Sequence, residues 1–162
     1  MSEDPFWRTT PLSEMSREQW ESLCDGCAKC CLIKLEDVDS EELVYTHVAC
    51  HLLDLESCRC RRYDDRLNYV PRCPVLTSDK LRTLPWMPSS CAYRLVTEGK
   101  ELPFWHPLIS GDPKSVHVAG ASVRHRVISE TEVDDIDLEV RVIRYWGNTK
   151  CGWSIFFYPI DG

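Results

Sequence analysis

No apolar run in the 162-residue chain approaches the roughly 20 residues needed to span a membrane. The opening Met1-Ser2-Glu3-Asp4-Pro5 is acidic, where a secretory signal would be basic and then apolar. Basic surplus is missing too. The formal charge is −7 and the pI is near 5.2, which argues against the positively charged face that nucleic-acid binding requires. There is no G-x-S-x-G, no H-E-x-x-H, no dinucleotide fingerprint and no phosphate-cradling glycine loop. The abundant carboxylates show no spacing that singles out an acid–base pair. These absences predict a cytoplasmic protein with no membrane or nucleic-acid partner and no recognisable catalytic signature.

What the chain has is cysteine: ten in all, nine of them between Cys24 and Cys91. Four fall in the eight residues Cys24-Asp25-Gly26-Cys27-Ala28-Lys29-Cys30-Cys31, a C-x2-C-x2-C-C run. In an oxidising compartment an even count would suggest disulfides, whereas the cytosol keeps thiols reduced and favours metal ligation. The x2 spacing lets a backbone turn aim two thiolates at one metal. Gly26 suits a turn position with positive φ. Adjacent side chains diverge, so Cys30 and Cys31 are read as serving two metals, or one metal and a neighbouring function. The bland alternative is a set of buried thiols acting as small apolar residues.

Ser16 with Gln19 forms a capping-box pattern for a short helix, with Met15 and Trp20 placed for a hydrophobic staple. Leu32–Leu35 and Leu43–Val48 read as strands joined by the polar turn Asp37–Ser40, a hairpin that returns Cys50 to the cysteine run. Thr77 or Ser78 caps a short helix through Leu84, ended by Pro85. Ser89 or Ser90 caps another over Cys91–Val96, stopped by Gly99. Ser115–Val118 and Ser122–Ser129 read as strands. The pattern predicts a small single α+β domain, with a loop-rich cysteine layer packed on a short antiparallel sheet with a few helices. Residues 1–139 form the metal-binding domain and 140–162 a divergent C-terminal tail.

The chain resembles the YcgN family of bacterial proteins, within the larger CxxCxxCC group of zinc- or iron-chelating domain proteins. The resemblance covers roughly residues 5 to 127. It is carried by Trp20-Glu21-Ser22-Leu23-Cys24-Asp25-Gly26-Cys27, Cys30-Cys31, Val48-Ala49-Cys50, Cys58-x-Cys60-x2-Tyr63 and Pro71-x-Cys73. It continues in Trp86-Met87-Pro88-x2-Cys91-Ala92-Tyr93-Arg94, Trp105-His106-Pro107-Leu108, Gly111, His117 and Ser122-Val123-Arg124-His125. From about Val140 onward, including Cys151, the match is lost, so Cys151 is left out of the site.

The expected ligands are Cys24, Cys27, Cys30, Cys31, Cys50, Cys58, Cys60, Cys73 and Cys91, holding zinc or iron. For an iron–sulfur cluster, C-x2-C-x2-C with a remote Cys73-Pro74 follows the ferredoxin pattern. For zinc, Cys24/Cys27 is a knuckle, but Cys58-x-Cys60 is a poor second one. His106 and His125 are candidate additional ligands, against the commoner role of such a histidine as a packed, hydrogen-bonded residue. His51 falls outside the motifs. Arg59, Arg61, Arg62 and Arg66 are read as a solvated face, or as cations offsetting thiolate charge. Three functions stay open: a metal-binding protein, a redox or metal-dependent enzyme, and an interaction module with structural zinc.

Overall fold

The computed structural model describes residues 3–36, 43–84 and 86–134. The polar turn at Asp37–Ser40, Pro85, the tail from residue 140 and Cys151 lie outside the described residues. Helix α1 (Phe6–Thr9) leads to α2 (Arg17–Ser22). The Ser16 hydroxyl accepts the Gln19 N–H at 3.1 Å and the Gln19 side chain accepts the Ser16 N–H at 3.0 Å. This reciprocal cap is worth about 1 kcal/mol, and it fixes the angle at which the chain enters the cysteine run. Met15 and Trp20 both pack on the same apolar cluster, as a staple requires.

Strands β1 (Leu32–Glu36) and β2 (Leu43–Ala49) pair antiparallel, with an irregularity between Leu32 and Lys34. The expected hairpin is present. A two-stranded ribbon follows, β3 (Leu53–Asp54) against β4 (Arg59–Cys60). Helix α3 (Ala92–Thr97) ends in a Schellman motif: Lys100 N–H bonds Leu95 C=O, Gly99 N–H bonds Val96 C=O, and Gly99 has φ 68°. Cys91, not Ser89 or Ser90, stands at its N-cap; the Ser90 hydroxyl instead accepts from the buried Lys29 ammonium at 3.2 Å. Leu81–Thr83 makes only a 3-10 turn where a helix through Leu84 was expected.

The second half corrects the sequence reading. Ser115–Val118 is helix α5, following α4 (Pro107–Ser110). In a strand, Val116 and Val118 would share a face. Here Val116 is 1% exposed and Val118 86%, the divergence a helical turn imposes. The Asp112 carboxylate accepts the Lys114 N–H and the Asp112 carbonyl accepts the Ser115 N–H, so local polar bonds start a turn that β-branched alternation did not reveal. Of Ser122–Ser129 only β5 (Ile128–Ser129) is strand, and it pairs parallel with β2, so the sheet is mixed, in the order β1-β2-β5. The architecture is that of a small α+β domain.

Two larger apolar clusters hold these pieces together, beside a small one of Cys27, Val116 and Ala121. Leu32, Tyr45, Ala49, Leu53, Cys58 and Val123 form one, on the sheet. Leu23, Leu43, Leu81, Trp86, Met87, Ala92, Tyr93 and Leu102 form the other, around α3. The Tyr45 hydroxyl donates to the Trp86 carbonyl, and the Arg94 guanidinium donates to the Met87 carbonyl at 2.6 Å. These bonds hold the Trp86–Arg94 segment beside the cysteine run.

Candidate metal centre

The cysteine run leaves α2 through Leu23, which is fully buried. The Asp25 carboxylate accepts the Cys27 N–H at 3.0 Å, closing the first turn. Gly26 completes it at φ 80°, where an added Cβ would meet the Arg59 guanidinium at 3.1 Å. Ala28 takes a second left-handed φ of 62°, and Lys29–Cys31 forms a 3-10 turn. Three carbonyls spaced four residues apart then anchor the run to distant chain. Leu23 accepts from the His106 ring at 2.8 Å, Cys27 from the Val123 N–H at 3.0 Å, and Cys31 from the Cys50 N–H at 2.9 Å.

This anchoring brings thiols from five segments into electrostatic reach of one another. The charge of Cys30 acts on Cys24, Cys27, Cys73 and Cys91, and Cys30 hydrogen-bonds its neighbour Cys31. Cys50, Cys60 and Cys73 interact among themselves. Burial pushes the Cys24 thiol up to about 11 and that of Cys91 to about 12, with Cys30 adding to both. Cys27 is held well above the usual range by burial and by Asp25; Cys30 is too, by its bond to Cys31 and then by burial. Burial also raises Cys50 and Cys73. Cys24 and Cys30 keep solvent-exposed surface although protein crowds them, so the group opens to one side.

Cys58 stands apart. Its thiol meets Ser122 and Arg124, and the residue packs in the sheet-side cluster at 3% exposure. His106 is fully buried at the N-cap of α4: Nδ1 accepts the Leu108 N–H at 3.0 Å while Nε2–H donates to Leu23. His125 is exposed at φ 63°, with Nε2 3.4 Å from the Glu56 carboxylate. The arginines divide. Arg61 and Arg62 pair with Asp54 and Asp65 on the surface, whereas Arg66 bonds the Cys73 thiol and Arg59 acts on Cys24.

Sequence reasoning missed Lys34. Its ammonium donates to the Cys30 and Leu32 carbonyls at 3.0 and 2.8 Å and lies over the Tyr45 and Trp86 rings. Burial lowers it to about 8, against the pull of Cys30, Cys31, Cys73 and Cys50. Its place on β1, three residues past Cys31 in a paired strand, was the available signal.

The donor set fits a soft or borderline metal: clustered thiols, the inward cations Lys29 and Lys34, and an open side. The comparisons point the same way. The family model described as "Putative zinc- or iron-chelating domain" matches residues 23–92. The UPF0260 protein of Parvibaculum lavamentivorans is 56% identical over 144 residues, 89% of this chain and 94% of the relative. That of Sinorhizobium medicae is 57% identical over 139 residues, 86% and 88% of the two chains. No solved structure matches. Identity at this level along most of both chains shows that the protein belongs to the UPF0260 family.

Proposed function

We propose that the protein binds zinc or iron through eight cysteines: Cys24, Cys27, Cys30, Cys31, Cys50, Cys60, Cys73 and Cys91. The observation that carries this reading is that thiols of four segments, Cys24–Cys31, Cys50, Cys73 and Cys91, interact with Cys30 or Lys34, with Cys60 joined through Cys50 and Cys73. Cys58 is left out because its thiol faces Ser122 and Arg124, and His106 because the backbone engages both ring nitrogens. His125 is left out because it is turned to Glu56.

Eight thiolates supply two four-coordinate ions, or one iron–sulfur cluster and further thiols. Thiols held protonated must lose protons to bind, so loading releases protons. The solvent-exposed residues Cys24 and Cys30, on the open side of the run, favour an exchangeable or reactive site over a sealed structural zinc.

The test is metal and acid-labile sulfide content of protein purified without oxygen, with its absorption spectrum. Bound zinc and no colour supports a thiolate zinc protein, and iron with sulfide supports a cluster and redox chemistry. Protein that holds neither, as purified and after anaerobic reconstitution, overturns the reading.

A further inference from the structure

The parallel pairing of β2 with β5 has a chemical result beyond the cysteine run. Val48 faces Ile128 and Ala49 faces Ser129. One step further along both strands, Cys50 and His51 meet Glu130. The His51 backbone N–H donates to the Glu130 carboxylate at 2.8 Å, and its ring Nδ1 lies 2.5 Å from the same oxygen. One ligand atom from each of Cys50, His51 and Glu130 lies within 4.8 Å of the others.

We propose that Cys50, His51 and Glu130 form a mixed-ligand site for a divalent transition metal of the zinc type, in which the Cys50 thiolate serves this ion and seven cysteines remain to the run. Thiolate, imidazole and carboxylate are the three zinc donor types, with bonds of about 2.0–2.3 Å. Ligands on a tetrahedral ion stand roughly 3.3 Å apart or more at those bond lengths, so the spacing admits one ion after a small separation of His51 from Glu130. The His51 and Glu130 side chains are 40% and 35% exposed, which leaves a path from solvent and room for a fourth, non-protein ligand. Three protein ligands with an open position are the arrangement of exchangeable or reactive zinc, not of a sealed structural one.

Cys50 is the hinge between the two centres. Its N–H bonds the Cys31 carbonyl on the β1 side, and its sulfur reaches His51 and Glu130 on the β5 side. The pairing is also specific to this pair of strands: without the parallel register, Glu130 would not lie beside residue 51. The mixed site stands on the geometry of these three residues and does not need the cysteine run to be loaded.

Cobalt(II) titration of the reduced protein without oxygen tests this, with bound equivalents counted by elemental analysis and followed by visible absorption. The expected result is one equivalent beyond those of the cysteine run, with the charge transfer of a single thiolate, weakened at least tenfold in His51→Ala and in Glu130→Gln. Both variants should keep the thiolate charge-transfer band of the cysteine run. Glutamine retains an acceptor for the His51 N–H, so the local fold is preserved. Equal stoichiometry and affinity in wild type, His51→Ala and Glu130→Gln overturns the mixed site and reduces the contact to an ion pair. A wild type that binds one His51-dependent equivalent, with charge transfer of a single thiolate's intensity, supports the mixed site while removing the eight-cysteine reading.

Discussion

His106 donates its Nε2–H to the carbonyl of Leu23, the residue before the first cysteine, across 2.8 Å and 83 positions of sequence. The same ring accepts the Leu108 N–H through Nδ1, so one side chain caps α4 and holds the entry to the cysteine run. Two bonds fix the ring's orientation and its Nε2–H tautomer. Replacing it by alanine leaves two buried backbone groups without partners, each costing about 1–3 kcal/mol. His106→Ala should therefore lower the melting temperature sharply. Loaded at low temperature, it should still bind the wild-type number of metal ions. A variant that melts like wild type but loses one metal equivalent would make His106 a ligand.

Cys30 and Cys58 should behave differently. Cys30 is coupled to Cys24, Cys27, Cys31, Cys73 and Cys91, so Cys30→Ser should lower metal content. Cys58 is buried against Leu32, Tyr45 and Val123. Cys58→Ser should keep the metal and cost about 1–2 kcal/mol for placing a hydroxyl in that cluster. Elemental analysis and denaturant melts of the two variants decide it, and equal metal loss in both would return Cys58 to the ligand set.

The metal-free protein should lose stability in alkali. Seven thiols, Cys24, Cys27, Cys30, Cys50, Cys58, Cys73 and Cys91, have raised pKa values in the fold. Such groups favour the folded state below the unfolded thiol pKa of about 8.5. Their contribution falls as pH rises from there through about 11 for Cys24 and about 12 for Cys91. Lys34, lowered to about 8, acts the other way, gaining stability up to the unfolded lysine value, but it is one group against seven. Melting temperature of the reduced, metal-free protein should drop above pH 9. The loaded protein, its ligand thiols already deprotonated, should fall less steeply, keeping the alkaline loss from Cys58 and from the raised phenols of Tyr45, Tyr63 and Tyr93; parallel pH profiles would contradict metal binding at the six ligand thiols.

Much of this centre could be read in the chain, because its signals are local. The capping box at Ser16, the hairpin that returns Cys50, and the stop at Gly99 each depend on residues within a few positions. The parallel strand at Ile128 could not be read that way. It is two residues long, and its partner is 80 positions away in sequence, so no periodicity marks it. His51 and Glu130 were missed for the same reason, since only that pairing makes them neighbours. The burial of Cys58 in the sheet-side cluster was not legible either, because a C-x-C spacing does not say which sulfur turns toward the core. Val116 and Val118 misled through β-branching alone.

Lys34 supplies the last test. A cluster of thiolates around a divalent ion keeps excess negative charge, and partial burial makes that charge costly. The Lys34 ammonium is held in place by two carbonyls and two aromatic rings, and it is felt by Cys30, Cys31, Cys73 and Cys50. In the metal-free protein the same ammonium is a liability, which is why burial drives its pKa down. Lys34→Met keeps the length and apolar stem while removing the charge. The metal-free variant should be as stable as wild type or more so at neutral pH, whereas its zinc affinity should fall by tenfold or more. Competition with a chromophoric chelator measures the second effect and a denaturant melt the first. Unchanged affinity together with reduced stability would assign Lys34 to packing and remove it from the electrostatics of the centre.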